Sequence, residues 1–372
     1  MKQGFLFSSI CSAIKTEGIK YAGSKLKLLP DILDLIQPLK GTRVWDAFAG
    51  TTRVSQALAQ RGYSVVSSDI SVWSECFGKC YLLNQRDGSY YQGIIDHLNG
   101  LPPVDGWYSE HYGALTSSSE GGKKCPWQLK NTRKLDAIRQ EIERLNLPDI
   151  EKSVILTSLV LALDKVDSTL GHHVSYLKEW SPRSYNDLFL EVPNLLDTPG
   201  EHIVLRGNVF DLLPNVCSDI AYLDPPYGSN NDKMPPSRVR YSSYYHLWTT
   251  VILNDKPELF GKANRRIDTS DTVSASVFEE YKRNPESNRF IAVEAIDKML
   301  REIQSEYVIL SYSSTGRATT DELADVLEQN GKVIKVRAID YKKNVMSEMK
   351  WTNAWIKEEN ELNKEFLFVL RK

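Results

Sequence analysis

The sequence predicts an α/β fold with a doubly wound, mostly parallel sheet. Residues 43–48 (RVWDAF) and the segment SVVSSDI, which ends at Asp69, read as strands, and the apolar period of the residues between them predicts a helix. Strand, helix and strand over about thirty residues form a βαβ unit, which implies parallel strands and a right-handed crossover. The alternation resumes with HIVLRG at 202–207 and DIAYLDPPY at 219–227.

The later part of the chain is expected to complete this sheet. Helices are predicted at 291–304 and 320–330, and strands at 307–312 and 332–339. The final segment, EFLFVLRK, is predicted to be an antiparallel strand at an edge. The expected architecture is therefore a doubly wound, mostly parallel sheet with an antiparallel C-terminal edge strand.

Two regions interrupt the alternation. The periodicity of 129–147 and 150–166 predicts one amphipathic and one more apolar helix, so 95–199 is expected to be a mainly helical inserted region. Residues 228–290 have little helical or strand period, and loops of this length in a compact domain are usually functional or mobile. Residues 88–122 also read as irregular surface. The sheet domain is then predicted to comprise 1–94 and 200–372.

The composition limits the possible classes of protein. The 372 residues contain 46 lysines and arginines against 48 aspartates and glutamates, a formal charge of -2, so a nucleic-acid surface would depend on local basic clusters. The five cysteines are odd in number and scattered, and the chain begins without a secretory signal, so reduced thiols in a cytoplasm are expected. No metal site is expected. No stretch approaches the roughly 20 apolar residues of a membrane span, so no membrane partner is expected either.

The segment DAFAG at 46–50 follows the first predicted strand. Gly50 permits a close approach of the backbone to a ligand at the strand-to-helix turn, and Asp69 stands where the next strand ends, well placed for the hydroxyls of a ribose. The turn lacks the GxGxxG and GxxxxGK[ST] patterns, so a small adenosine-bearing cofactor fits better than a dinucleotide or a triphosphate. Alternatively, Asp46 and Asp69 cap helices.

The segment IAYLDPPYGSN at 220–230 places an acid at the end of another predicted strand. Pro225 and Pro226 stop the strand because they donate no ladder hydrogen bond and fix φ. Ligands of open α/β sheets bind at the carboxyl ends of strands, so Asp224 is a candidate site residue. An ordinary turn capped by an acid is the alternative.

Together, YAGSKLKLLPDI at 21–32, DAFAGTTRVS and DPPY resemble, in this order, the motifs of S-adenosylmethionine-dependent DNA adenine-N6 methyltransferases of the D12 class, α subgroup. Four later segments, YYHLWTT, DKPELFGKANRR, SVFEEY and ILSYSSTG, resemble restriction-associated members. The resemblance implies a Rossmann-like methyltransferase sheet and S-adenosyl-L-methionine as cofactor. The cofactor-binding residues that it implies, together with those proposed above, are Tyr21, Gly23, Ser24, Lys25, Asp46, Phe48, Gly50, Thr51, Asp69 and Asn208.

The catalytic residues that it implies are Asp224, Pro225, Pro226 and Tyr227. Adenine N6 is a poor nucleophile because its lone pair is delocalised into the ring. The Asp224 carboxylate and the Pro225 carbonyl can accept its two protons and so localise the pair, while Tyr227 offers a ring for a base that has left the duplex.

Two positions depart from the family pattern. Asn208 stands where the family commonly has an acid that contacts the cofactor's adenine, and its amide oxygen can still accept from the adenine amino group. Gly228 and Ser229 follow the DPPY motif where related enzymes often carry Asn and Arg.

Double-stranded DNA is the expected partner, recognised through the inserted region and through 228–290. Arginine reads guanine bidentately and aromatic rings stack, so the candidates are basic or aromatic. They are Lys123, Lys124, Arg238, Arg240, Tyr244, Tyr245, His246, Arg265 and Arg266, although solvated surface positions are the commoner fate of such residues.

The sequence thus favours a site-specific adenine methyltransferase, with base flipping, that serves as the modification enzyme of a type II restriction-modification system with a cognate endonuclease. A cytosine-N4 or RNA base methyltransferase is one alternative. A catalytically silent DNA-binding subunit is another, and it predicts damaged motifs, whereas DPPY and DAFAG are intact. The oligomeric state and the recognition sequence stay open.

Overall fold

The computed structural model describes residues 14–115, 125–228, 240–270, 276–340 and 364–372. Its centre is a seven-stranded sheet. The strands, numbered here along the chain, are β1 Arg43–Asp46, β2 Ser64–Asp69, β3 Ile203–Arg206, β4 Ile220–Leu223, β5 Tyr307–Ser313, β6 Lys332–Asp340 and β7 Lys364–Arg371. The helices are α1 Leu29–Ile36, α2 Arg53–Gln60, α3 Val72–Gly78, α4 Gly88–Gly100, α5 Trp107–Tyr112, α6 Leu129–Leu145, α7 Asp149–Lys165, α8 Val209–Leu212, α9 Tyr241–Tyr244, α10 His246–Leu253, α11 Ile291–Glu302 and α12 Thr320–Asn330.

The order of the strands in the sheet is β6-β7-β5-β4-β1-β2-β3. The pairs β4–β1, β1–β2, β2–β3 and β4–β5 are parallel, and β7 is antiparallel to both of its neighbours. The predicted doubly wound, mostly parallel fold is confirmed. One detail differs from the expectation, because β7 lies between β5 and β6 and the edge strand is β6. An apolar strand such as FLFVL gains more burial inside the sheet than at its rim.

Alternate residues of the strands face two separate cores. Val44 packs with helices α1 and α2 on one face of the sheet, while the next residue, Trp45, packs with α11 and α12 on the other. This alternation is the two-residue period of a strand that is buried on both sides. The helices therefore cover both faces and leave the strand ends as the place where a cleft can open.

A third core joins the two regions that interrupt the alternation. Helices α4 to α7 pack against α3 and against α10, and the rings of Trp127 and Trp248 lie 6.1 Å apart inside this unit. The expectation of irregular structure was wrong for α4 and α5, and also for α9 and α10 within 228–290. Helix α10 carries weak helical periodicity because most of its sides are buried, whereas α4 buries a single stripe, Tyr91, Ile95 and Leu98. The predicted boundary at residue 94 falls inside α4.

None of the helices in the described part of the chain is both long enough and apolar enough to span a membrane.

Strand β4 leads into the loop that carries Asp224. We expect its last residue, Leu223, to contribute to the stability of the folded protein. Leu223 is fully buried, and Leu223→Ala should lower the free energy of unfolding by about 2–5 kcal/mol through the cavity it leaves. Urea denaturation followed by circular dichroism measures this loss. Leu115→Ala, at a side chain that is 60% exposed, is the matched control and should change the value by less than about 0.5 kcal/mol. Equal effects of the two substitutions would contradict the assigned packing.

Candidate active site

A cleft of about 580 Å³ lies at the carboxyl ends of β1, β2 and β4. It opens where the chain order reverses between β1 and β4, the usual ligand position of a doubly wound sheet. Most of the residues predicted to bind a cofactor or to act in catalysis line this one cleft. They are Tyr21, Gly23, Ser24, Lys25, Phe48, Gly50, Thr51, Asp69, Asn208, Asp224, Pro225, Pro226 and Tyr227.

The segment before α1 forms one wall of the cleft. The Ser24 side chain caps a short 3-10 helix, Lys25–Lys27, by accepting from the Leu26 N–H. Gly23 has a φ of +85°, and a Cβ at this position would lie 2.9 Å from the Tyr241 hydroxyl, so a side chain would be strained and crowded. The Tyr21 ring packs at 4.7 Å from the Tyr245 ring. These contacts hold Lys25 over the floor of the cleft.

The turn after β1 brings its backbone close to the cleft. Gly50 has a φ of +48°, and a Cβ added there would lie 3.4 Å from the Tyr21 ring, so a larger residue would fill the space above the turn. The Gly50 N–H donates to Asp69 Oδ2 over 2.9 Å. The two predicted residues Gly50 and Asp69 are therefore joined directly.

Asp46 lies behind the turn and does not line the cleft. It is 1% exposed, Ser55 Oγ donates to its Oδ2 over 2.6 Å, and its Oδ1 has no partner among the described residues. Burial raises its pKa to about 7. Asp46 was expected to contact a cofactor. In the structure its side chain points towards α2 instead, where it bonds Ser55 and supports the turn after β1.

An apolar slot continues the cleft past Asp69. Ile70 is 72% exposed although it is a large apolar residue, and it lines the cleft together with Phe210. Asn208 borders the same slot as the N-cap of α8, where its Oδ1 accepts from the Phe210 N–H over 3.1 Å. The sequence analysis assigned this same oxygen to an adenine amino group. Asn208 Oδ1 would therefore have to accept from the Phe210 N–H with one lone pair and from the adenine with the other.

Asp224 belongs to a buried network of charges. Lys25 Nζ lies 2.9 Å from Asp224 Oδ1 and 3.2 Å from Glu365 Oε1. The Tyr227 hydroxyl lies 2.7 Å from Lys25 Nζ and contacts both carboxylates. Burial lowers the pKa of Lys25, but the two carboxylates outweigh that effect and leave it above its usual value. The ammonium group therefore stays charged.

Asp224 keeps one oxygen for a ligand. Both contacts described above end on Oδ1, and within the described ranges no group donates to Oδ2. The pKa of Asp224 is raised to about 6, mainly by burial, while Lys25 lowers it and Glu365 raises it. At neutral pH this group is an ionised hydrogen-bond acceptor with more affinity for a proton than an ordinary aspartate.

Sequence reasoning missed two buried carboxyl groups. Glu365, at the start of β7, is 7% exposed, and its Oε1 accepts from Ser311 Oγ over 2.7 Å. Glu279 lines the cleft at 3% exposure, and its Oε1 has no partner among the described residues. Glu365 opens an apolar run and looks like a solvated end residue, so only the pairing of β7 with β5 reveals its position.

The candidate DNA-contacting residues divide into three groups. Lys123, Lys124 and Arg238 lie outside the described residues. Arg240 and Arg265 are half-buried, and Arg265 donates to the Thr269 carbonyl over 2.6 Å.

The third group is buried and needs correction. Tyr244, Tyr245 and His246 are at most 9% exposed inside the helical core, and Arg266 is held between Asp255 and Asp268 at 3% exposure. These side chains present almost no surface that a duplex could touch. The aromatic and basic composition of this segment serves packing and a buried ion-pair network, a role that composition alone does not distinguish from DNA contact.

A family model for the D12 class N6 adenine-specific DNA methyltransferases matches residues 21–303, which is most of the chain. The modification methylase StsI of Streptococcus sanguinis is 28% identical over 344 residues, 87% of this chain and 48% of that protein. The modification methylase LlaI of Lactococcus lactis subsp. lactis is 26% identical over 375 residues, 95% of this chain and 55% of that protein. The chain thus spans about half the length of these two relatives.

Other relatives are nearer to this chain in length. The type II methyltransferase M.NlaIII of Neisseria lactamica is 27% identical over 324 residues, 84% of this chain and 89% of that protein. Among solved structures, the magnesium protoporphyrin IX methyltransferase of Synechocystis PCC 6803 with bound SAM is 9% identical, with a TM-score of 0.32 over 93% of this chain and 79% of that one.

Glu279 provides a test of the electrostatics of the cleft. Burial raises its pKa from the usual 4.5 to about 7, so the folded protein binds this proton more tightly than the unfolded chain. The stability that results is complete below about pH 4.5 and is lost as the pH rises to about 7. Glu279→Gln cannot ionise, so its free energy of unfolding relative to the wild type should rise over this window by on the order of 1–3 kcal/mol and then level off.

Urea denaturation at half-unit steps of pH measures this difference. The control Glu286→Gln lies on the exposed surface and should show no comparable rise. A difference between Glu279→Gln and wild type that is independent of pH would show that Glu279 is not buried as described.

Proposed function

The chain belongs to the D12 class N6 adenine-specific DNA methyltransferases, and from this we propose that it transfers a methyl group from S-adenosyl-L-methionine to N6 of an adenine within a specific double-stranded DNA sequence. The observation that carries the proposal is the position of Asp224, at the end of β4, in the same cleft as the Gly50 turn and Asp69. The similarity to a modification methylase and to a type II methyltransferase supports a role as the modification enzyme of a type II restriction-modification system, in which a cognate endonuclease would be the functional partner.

The residues of the cleft fit this cofactor. Asp69 stands at the end of β2, where a carboxylate can bind the hydroxyls of a ribose, and the exposed Ile70 with Phe210 offers apolar surface for a purine ring. Gly50 lines the same cleft, and without a side chain it lets the backbone of this turn lie close to the methionine end of the cofactor. When bound, S-adenosyl-L-methionine supplies a methyl group on a cationic sulfonium, and the Asp224 carboxylate of the cleft, with Glu365 behind it, suits that charge.

The chain's own residues act on the adenine. Asp224 Oδ2 and the Pro225 carbonyl accept the two N6 protons, which localises the nitrogen lone pair. Pro225 and Pro226 restrict the backbone of this loop and so preorganise the acceptors. Asp224 is only 15% exposed, so an adenine stacked in a duplex cannot reach it and the base must flip out.

Tyr227 combines two roles in this proposal. Its ring lines the cleft and can stack on the flipped base, while its hydroxyl contacts Asp224 and Glu365. Lys25 Nζ lies at the hydroxyl end of the ring, 2.7 Å from the hydroxyl and 4.9 Å from the ring centroid. The ring is therefore held by its charged neighbours before any base arrives.

The proposal is tested by incubating the purified protein with unmethylated genomic DNA and labelled S-adenosyl-L-methionine, and by mapping the modified bases. We expect N6-methyladenine in one short recognition sequence. Asp224→Ala should reduce incorporation at least a hundredfold because the N6 acceptor is lost. Asp211→Asn, an exposed acid on α8, is the control and should methylate like the wild type. Label on cytosine, on RNA alone, or undiminished in Asp224→Ala would overturn the proposal.

The two roles of Tyr227 can be separated by substitution. Tyr227→Phe keeps the ring and removes the hydroxyl, and we expect a roughly tenfold slower methyl transfer in a single turnover with unchanged base flipping. Tyr227→Ala should in addition weaken flipping, measured as the fluorescence of 2-aminopurine placed at the mapped adenine. A Phe variant as fast as the wild type would remove the role of the hydroxyl, and equal flipping by the Phe and Ala variants would remove the role of the ring.

A further inference from the structure

Glu365 is the member of the buried network that no motif accounts for. It is the second residue of β7 and lies opposite Ser313 of β5 in the antiparallel pairing. Its Oε1 accepts from Ser311 Oγ over 2.7 Å and lies 3.2 Å from Lys25 Nζ. The chain therefore brings a second carboxylate next to Asp224 from a segment 141 residues further along, since Asp224 and Glu365 are separated by that many positions.

The charges in this network do not cancel in pairs. One ammonium, that of Lys25, serves two carboxylates at 2.9 and 3.2 Å, and the side chains of Lys25 and Glu365 are 8% and 9% exposed. Burying a carboxylate without a full counter-charge is costly, and one acid would suffice to neutralise Lys25. A second buried acid must therefore serve something other than stability, or persist in spite of its cost.

We propose that Glu365 is a positioning residue for the proposed methyl transfer: by sharing the Lys25 ammonium with Asp224, it keeps Asp224 basic and holds Lys25 and the Tyr227 hydroxyl on Oδ1, so that Oδ2 is left for the adenine amino group. This inference rests on the proposed function. It assigns to β7, which carries no recognised motif, a part in the chemistry of the loop after β4.

The basicity of Asp224 matters at one step. When N6 forms its bond to the methyl carbon, the bond from that carbon to the sulfonium sulfur breaks and its electron pair stays on sulfur, which leaves as the neutral thioether. N6 is then positively charged and holds one proton too many. That N–H bond breaks, its electron pair stays on nitrogen, and the proton forms a bond to Asp224 Oδ2. The reaction then ends with neutral N6-methyladenine and a protonated Asp224, which returns its proton to water.

Several groups face Asp224 and set its affinity for that proton. Lys25 approaches from the segment before α1 and favours the ionised form, while Glu365 on β7 favours the protonated form. Asp46 on β1 is a further acid near enough to interact with it. Tyr227 contacts it, and Tyr21, Tyr222 and Tyr241 are near enough to interact with it electrostatically. Among these neighbours Glu365 is the acid that shares the Lys25 ammonium with Asp224. Its charge therefore has the most direct effect on the affinity of Asp224 for the proton.

The experiment uses Glu365→Gln, which keeps the shape and hydrogen-bonding oxygen of the side chain and removes its charge. The protein is labelled with 13C at the aspartate carboxyl carbons, and the Asp224 resonance is assigned by its loss in Asp224→Asn. We expect the titration midpoint of Asp224 to fall by roughly one pH unit in Glu365→Gln, a tenfold weaker affinity for the proton.

Single-turnover methylation of unmethylated genomic DNA gives the second readout. The rate should rise with pH as Asp224 ionises, and in Glu365→Gln this rise should move to lower pH by the same amount. The plateau should fall by up to about tenfold because a base weakened by one pH unit accepts the proton less readily. The KM for DNA should stay unchanged, since Glu365 lies behind Asp224 and touches no part of the base.

Two further variants separate charge from packing. Ser311→Ala removes the hydrogen bond to Glu365 and keeps the charge, so the midpoint of Asp224 should stay at its wild-type value. Glu365→Asp also keeps the charge, and it should retain a midpoint nearer to the wild type than Glu365→Gln does. Should Glu365→Gln fail to fold by circular dichroism, the comparison of Glu365→Asp with wild type decides, because a midpoint lowered by a full unit there would contradict the proposal.

The outcomes for this inference and for the proposed function are distinct. A wild-type protein that methylates adenine, with an Asp224 midpoint that Glu365→Gln does not move, would overturn the role of Glu365 alone. A wild-type protein that shows the expected titration and methylates no adenine would overturn the proposed function instead.

Discussion

The candidate site depends on the two buried ion pairs that the Lys25 ammonium forms with Asp224 and Glu365. The ammonium joins three segments that are far apart in the chain: the residues before α1, the loop after β4 and the start of β7. A buried lysine keeps its charge only where carboxylates surround it, and buried carboxylates keep theirs only beside such a cation. Each of the three segments is therefore fixed by the other two, and the acceptor oxygen of Asp224 is fixed with them.

The topology of the sheet makes that meeting possible. Because β1 and β4 are neighbours at the point where the winding reverses, the turn at Gly50 and the loop at Asp224 open into one cleft. Strand β7 enters between β5 and β6 in the opposite direction, so its start, with Glu365 as the second residue, comes to the same edge of the sheet as the carboxyl ends of the parallel strands. An acid at that position reaches the site from behind.

Local sequence patterns predicted the elements that have a clear period. The helix predicted at 320–330 is α12 as found, and the predicted strand at 307–312 ends one residue short of β5. The motifs also located the cleft, because glycines with positive φ and acids after strands are local requirements. Periodicity did not predict helices that are buried on most sides, as α10 is. It also did not predict the position of a strand in the sheet, which depends on pairing between distant segments.

Residues whose role comes from distant partners were accordingly missed or misassigned. The role of Glu365 depends on its contact with Lys25, 340 positions earlier in the chain, and no local sequence pattern predicts that contact. His246 looked like a surface residue in an aromatic and basic segment, yet it lies within the core that α10 shares with α7. Asp46 was read as a ligand because it begins a motif, whereas its side chain is turned towards Ser55.

The central claim is that Asp224 receives the amino group of an extrahelical adenine on the oxygen that Lys25 and Tyr227 leave open. A crystal structure of the protein with S-adenosylhomocysteine and a DNA duplex that carries the mapped recognition sequence tests this claim most directly. The account predicts an adenine outside the helical stack, with N6 within hydrogen-bond distance of Asp224 Oδ2 and the Pro225 carbonyl, and Lys25 still on Oδ1. An adenine that stays stacked in the duplex, or one whose amino group points away from Asp224, would contradict it.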